Sequence, residues 1–349
     1  MKIAQISPLC EAVPPMLYGG TERVVASLSN ALVDQGHEVT LFAAGGSRTR
    51  ANLVPVRKQA LRLDPAPLKS DLAAHLLLMS EVRRRADDFD VLHFHMDLLH
   101  FPFFEDMPER TLTTIHGRLD LTDLPEVYGR WSEFPLVSIS QQQRKPIPSA
   151  NWIGTVYNGV DEDLLRLPTR PTGGYLAFLG RLAPEKRPDR AIDIAVRAGL
   201  PIKIAAKVDP VDRAYFETCI RPLLQHPLVE YLGEVSDDQK PAFLGNARAL
   251  LFPIDWPEPF GLVMIEAMAC GTPVIAWRCG SVPEVLEPGV SGLIVDNEEE
   301  AVAAVKRAVQ FDRRRVRAAF ERRFSARAMA SAYVEIYHRL LATSLPAVA

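Results

Sequence analysis

The chain has 349 residues, 48% hydrophobic and 24% charged, the make-up of an ordinary soluble globular protein, and at roughly 150 residues per domain it suggests two domains. A formal net charge of −3 leaves no basic surplus for a nucleic-acid partner. Four cysteines, Cys10, Cys219, Cys270 and Cys279, form no CxxC pair, which argues against a disulfide framework or a zinc site and suits thiols in a reducing cytoplasm. No run reaches the roughly 20 apolar residues that cross a bilayer, and residues 1–7 read as a short strand, not as the long apolar segment of a secretory signal.

In chain order, residues 2–7 form a compact strand signal, followed by a proline-containing loop that ends in Gly19 and Gly20. Residues 21–36 have helical spacing, with Val24, Val25, Leu28, Ala31 and Leu32 on one face, Thr21 as N-cap and Gly36 as C-cap. A strand at 37–44, a helix over 72–86 and short apolar strands at 89–95, 111–116 and 136–140 continue the alternation. Proline, glycine and charge cluster in 158–174, which places the domain joint there. Strands then restart at 174–180, 201–207, 228–233, 249–254, 272–277 and 292–296, with helices at 189–198, at 237–246 and after Gly261. An amphipathic helix at 326–341 closes the chain. Two successive runs of this kind predict an α/β protein with two Rossmann-like, doubly wound domains, whose ligands bind beyond the carboxyl ends of the strands, in a cleft between the domains.

Three constellations fall at such ends. Glu258-Pro-Phe-Gly-Leu-Val-Met-Ile-Glu266 runs from a stiff loop into an apolar helix. The unpartnered amides and positive dipole at its start suit a diphosphate, with Glu258 at the mouth. Glu266 sits about two turns along in apolar surroundings, where a buried acid needs strong donors; the two hydroxyls of a ribose would serve, and a buried arginine or a neighbouring element to cap would serve equally. Arg181 and Lys186 bracket the end of another strand and suit a phosphate, against the alternative of a solvated loop. In the first half, Gly19 and Gly20 permit close backbone approach without the GxGxxG of a dinucleotide site, and His116-Gly117 ends a strand, as a ligand contact or as a structural histidine.

Other signals weigh less. His93, His95 and Asp97 have the spacing of one strand face but no matching acid or histidine cluster elsewhere to complete a metal site. Asp88 and Asp90 lie at the start of a strand, the wrong end for a ligand. Arg83, Arg84 and Arg85 read as a solvated helix face; a peripheral membrane contact is conceivable there but not indicated.

The segment from Glu258 through Pro283-Glu284 to the strand at 292–296 strongly resembles the signature region of retaining glycosyltransferase family 4, with Glu258 and Glu266 as its E-x7-E pair. The Arg181–Lys186 loop, the Gly19-Gly20 turn, the 90–97 strand and His116-Gly117 resemble further landmarks of that family, in the same order. Two departures stand out: Cys279-Gly280-Ser281 where many members have Gly-Gly, and Arg187 where many have glycine. The resemblance implies the GT-B fold, with residues 1–165 as the acceptor-side domain, 166–325 as the nucleotide-sugar domain, and 326–349 crossing back to the first. It implies a retaining, metal-independent glycosyltransferase that moves a sugar from a nucleotide-diphosphate sugar to an acceptor hydroxyl and needs no other cofactor. By the same resemblance, Glu266 holds the ribose and Glu258 lies by the donor sugar. Arg181 and Lys186 bind the diphosphate, and the amides of Phe260, Gly261, Leu262 and Val263 add donors. His116 contacts the sugar, and Gly19 and Gly20 bring the first loop close to phosphate or acceptor. A nucleotide-sugar epimerase of the same architecture and a non-catalytic nucleotide-sugar-binding protein are the alternatives.

Overall fold

The structure, a computed structural model, describes residues 1–16, 19–66 and 68–344. It divides into two units, Met1–Val160 with the closing helix from Ala326, and Asp161–Ser325. No helix among the described residues is long and apolar enough to cross a membrane.

The first unit is built on a parallel sheet of β1 (Lys2–Ile6), β2 (Glu38–Ala44), β3 (Asn52–Arg57), β4 (Val91–Phe94), β5 (Thr111–Thr114), β6 (Leu136–Ser138) and β7 (Trp152–Thr155), in the order β3-β2-β1-β4-β5-β6-β7. β1, β4 and β5 lie inside the sheet and are buried almost throughout; Ile3, Ile6, Leu92, Phe94 and Leu112 have no exposed surface. β3 and β7 carry no clear sequence signal. β3 holds Pro55 and is only half-buried, and β7 admits Gly154 because an added Cβ would stand 2.7 Å from Ile336 of the closing helix. That helix, Ala326–Ser344, packs Tyr333 and Tyr337 into this unit with almost no exposure.

The second unit holds β8 (Tyr175–Arg181), β9 (Ile202–Lys207), β10 (Val229–Gly233), β11 (Ala247–Phe252), β12 (Val274–Trp277) and β13 (Gly292–Val295), ordered β10-β9-β8-β11-β12-β13 and again parallel. In each sheet the strand order reverses once, between β1 and β4 and between β8 and β11. Ligands of such sheets bind outside the carboxyl ends at the reversal. Those ends are the loops after Ile6 and Phe94 in one unit and after Arg181 and Phe252 in the other.

Helix ends differ from expectation in three places. The first helix is Gly20–Asp34, capped at Gly19 with no side-chain bond, so Thr21 is inside it and not its N-cap; Gly36, with φ +84°, closes the other end as expected, its amide donating to Val33 O at 2.9 Å. The helix placed at 72–86 is Asp71–Arg84, where Ser70 accepts the Ala73 amide. The one placed at 237–246 shortens to Lys240–Gly245, since residues 237–239 form a turn.

Candidate active site

In the second unit, β8 ends at Arg181 and a short turn, Pro184–Lys186, follows. Lys186 forms an ion pair with the Glu258 carboxylate, largely shielded from solvent. The Trp256 indole donates to Glu258 Oε2 at 2.8 Å, and the Lys186 ammonium lies 5.0 Å from the Trp256 ring centroid. The structure thus brings together Lys186 and Glu258, which lie 72 residues apart in sequence.

The loop carrying Glu258 is held by the segment that departs from the family pattern. Gly280 has φ +55°, and a Cβ there would stand 2.4 Å from the Glu258 nitrogen, so no other residue fits. The Ser281 amide donates to Glu258 O at 3.0 Å and its hydroxyl to Phe260 O at 2.7 Å. The Cys279 thiol donates to Trp256 O at 3.0 Å. Gly261, with φ +80°, then turns the chain into the helix Leu262–Ala269, whose first bond runs from Met264 N to Gly261 O. The amides of Leu262 and Val263 therefore precede the first intrahelical partner and sit at the positive end of the dipole.

Arg181 is surrounded by acids. Its guanidinium donates to Asp212 at 3.0 Å and to Asp209 at 3.5 Å, and also contacts Glu185. Arg187 explains the second departure. It adopts the left-handed conformation, φ 53°, that glycine takes without strain. Its guanidinium grips Asp189 through Nε and Nη2, and Asp255 through Nη1 at 2.9 Å. These bonds raise its already high pKa and tie the turn to the loop before Glu258.

Glu266 is buried, 2% exposed, and its Oε1 lies 2.7 Å from the Lys240 ammonium. Lys240 also approaches Asp237, at 3.2 Å. A lysine from the short helix Lys240–Gly245 thus faces the buried acid. Sequence spacing does not mark Lys240; only the requirement that a buried carboxylate find a cation points toward such a residue.

Gly19, Gly20 and His116 belong to the first unit. A cavity of about 390 Å³ there is lined in part by Thr21, His75, His95, Asp97, His116 and Gly117. Gly19 lets the loop close in, since a Cβ would stand 2.8 Å from Pro15. Gln143 fixes the turn after β5 by donating to Ile115 O and Gly117 O at 3.0 and 2.8 Å. Asp97 takes a left-handed φ of 51° at the cavity, a strained conformation for a residue with a side chain.

His116 Nε2 lies 2.9 Å from His95 Nδ1, and His95 Nε2 lies 2.7 Å from Gln5 Oε1. His93 bonds Tyr337 through Nδ1 and Thr114 through Nε2, both at 2.7 Å. Every ring nitrogen of His93 and His95 is thus committed to hydrogen bonding, and no group of three metal-ligating side chains occurs among the described residues. Burial pushes His93 and His95 well below the usual histidine range and His116 down to about 4, so the cluster is neutral near pH 7.

Two family models match the chain, "Glycosyltransferase Family 4" over residues 18–164 and "Glycosyl transferases group 1" over residues 162–323. The D-inositol 3-phosphate glycosyltransferase of Mycolicibacterium smegmatis is 27% identical, over 80% of this chain and 76% of that protein. Among solved structures, AviGT4, a glycosyltransferase involved in avilamycin A biosynthesis, superposes with a TM-score of 0.74 at 25% identity, covering 98% of both chains. Anabaena HepE in complex with UDP-glucose gives a TM-score of 0.72 at 19% identity, over 97% of this chain and all of that one, a likeness of fold. The fold of the two units is GT-B.

Proposed function

Because the chain belongs to glycosyltransferase family 4, we propose that it transfers a sugar from a nucleotide-diphosphate sugar to an acceptor hydroxyl, with retention and without a metal. The observation that carries this reading is the Lys186–Glu258–Trp256 assembly at the head of the helix Leu262–Ala269. When the glycosidic bond breaks, negative charge gathers on the departing diphosphate. Lys186 and the amides of Leu262 and Val263 stabilise that charge, and a preorganised donor of this kind is typically worth about 3 kcal/mol of barrier. These cations and amides take the role a metal would otherwise have. Arg181 adds charge at the mouth of β8, held in place by its acids.

Glu266 takes the ribose. An ionised carboxylate offers about four lone-pair positions, so Lys240 and a diol can share it. Lys240 then pairs with the acid before the donor arrives. The first unit's cavity takes the acceptor beside His116. The family resemblance implies attack from the face the leaving group vacates, with the departing phosphate accepting the acceptor's proton. Four free thiols suit a cytoplasmic setting.

The test is turnover of UDP-, GDP- and ADP-hexoses with an acceptor panel in excess EDTA, with the product anomer read by NMR. A product of unchanged anomeric configuration supports the proposal. Inversion, turnover only after a divalent ion is restored, or donor conversion without acceptor overturns it.

A further inference from the structure

The hydrogen bonds that end on His116 have a direction, and one side chain sets it. Gln5 is fully buried on β1. Its Oε1 lies 2.7 Å from His95 Nε2, and its Nε2 lies 3.1 Å from the Tyr337 hydroxyl. A carboxamide oxygen only accepts and its nitrogen only donates. His95 Nε2 therefore carries a hydrogen. His95 is buried and neutral, so its Nδ1 is bare and accepts. The nitrogen facing that lone pair, at 2.9 Å, is His116 Nε2, which must carry the hydrogen of their bond. His116 is neutral as well, so its Nδ1 has none.

The other arm agrees. Gln5 donates to Tyr337, Tyr337 donates to His93 Nδ1, and His93 Nε2 donates to Thr114, whose hydroxyl lies 2.8 Å from that of Tyr333. Nowhere do two hydrogens or two lone pairs meet. Turning the Gln5 amide over would reverse every bond in both arms, so the network has one polarity at a time.

We propose that Gln5 and His95 are positioning residues that hold His116 as the neutral tautomer protonated on Nε2, so that it meets substrate as a hydrogen-bond acceptor at Nδ1. The proposal rests on the reading of His116 as a substrate contact. It also specifies the chemistry of what binds. A bare imidazole nitrogen takes a hydroxyl hydrogen, and the Asp97 carboxylate on the same cavity wall is likewise an acceptor. Together they suit the hydroxyls of a sugar or polyol and give a phosphate oxygen nothing to accept.

The experiment is ¹⁵N NMR of the ligand-free protein labelled at histidine, near neutral pH. His116 is expected to show a protonated Nε2 and a bare Nδ1. In Gln5→Met, which removes the carboxamide oxygen, the two tautomers of His116 should mix. Turnover should fall about tenfold, the worth of one hydrogen bond, with nucleotide affinity unchanged. Should that variant not fold, His95→Phe removes the nitrogen opposite His116 and must free the tautomer in the same way. A protonated Nδ1 in the wild type, or an unaltered His116 spectrum in Gln5→Met, overturns the proposal. Because the spectra need no substrate, a protein that passes them and transfers no sugar refutes the reading of function alone.

Discussion

The two units place different polar groups beneath their candidate sites. The second keeps full charges and pairs them: Lys240 with Glu266, whose side chains are 9% and 3% exposed, and Lys186 with Glu258, at 16% and 13%. The first buries Gln5, His93, His95 and Thr114 with no net charge, linked by hydrogen bonds alone. Removing ions from water costs several kcal/mol each, and a buried pair is often no more stable than apolar residues of the same size. Stability alone therefore explains the neutral network better than the ionic one. Charge retained at the head and along the length of one helix points to a ligand that carries charge and hydroxyls. The neutral His116 and the Asp97 carboxylate at the other unit's cavity are both acceptors, which suits a ligand that donates hydroxyls.

The sharpest way to break this contrast is to remove one member of the deepest pair. Lys240→Met takes the ammonium away from the buried Glu266 Oε1, and unfolding free energy should drop by about 3–5 kcal/mol in urea titrations. Adding Glu266→Leu should recover most of that loss. If the acid also serves the ribose, the double variant folds yet fails to bind nucleotide. A double variant that binds donor normally would make the pair purely structural.

Next in size are the cations at the mouth of the site. Lys186→Ala and Arg181→Ala should each cut turnover by roughly 100-fold or more, through lost stabilisation of the departing diphosphate. They need not be equal. Lys186 has one carboxylate partner, whereas Arg181 is surrounded by Glu185, Asp209 and Asp212. Near-normal rates in both would remove the diphosphate from this place.

The neutral unit should reveal itself through pH. Unfolded histidine titrates near 6.5, about 2.5 units above the value of about 4 that burial gives His116. Between those values the unfolded chain binds more protons than the native one. The stability that His116 contributes is therefore complete above about pH 6.5 and is lost as pH falls toward 4, by up to about 1.4 kcal/mol per pH unit. His93, His95 and His100 shift in the same direction for the same reason and add to the slope. Urea melts at pH 7, 6 and 5 measure it; equal stability at all three would mean that the native histidines take up protons in step with the unfolded chain.

What the sequence revealed and what it hid follow from the range of the forces involved. Apolar strands, Gly261 and the E-x7-E spacing are local, so the two sheets and the helix of Glu266 were legible. β3 was not, because Pro55 and half-burial on the outermost strand erase the apolar pattern. Lys240 and Gln5 were not, because their partners lie 26 and 90 residues away and nothing nearby in sequence reports the contact. His93 and His95 were visible as a pair on one strand face, but only the structure shows their nitrogens taken up by Gln5, Thr114, Tyr337 and His116. Arg187 was visible as a departure from the family pattern, but only its φ of 53° shows that it stands where glycine would be unstrained.

That position gives the smallest effect and the finest test. Arg187→Gly relieves about 1 kcal/mol of left-handed strain. It also raises the entropy of the unfolded chain, at a cost of about 0.5–1 kcal/mol. The fork to Asp189 and the bond to Asp255 are lost as well; both acids are partly exposed, so each contributes at most about 1 kcal/mol. With both ion pairs counted in full, the sum is a destabilisation of up to about 2 kcal/mol, seen as a drop in Tm. Turnover should suffer more than stability does, since Arg187 joins the turn bearing Lys186 to the loop bearing Glu258. A variant that melts later than the wild type with full activity would show that strain outweighs the ion pairs and that this clasp does not set the geometry of the charged site.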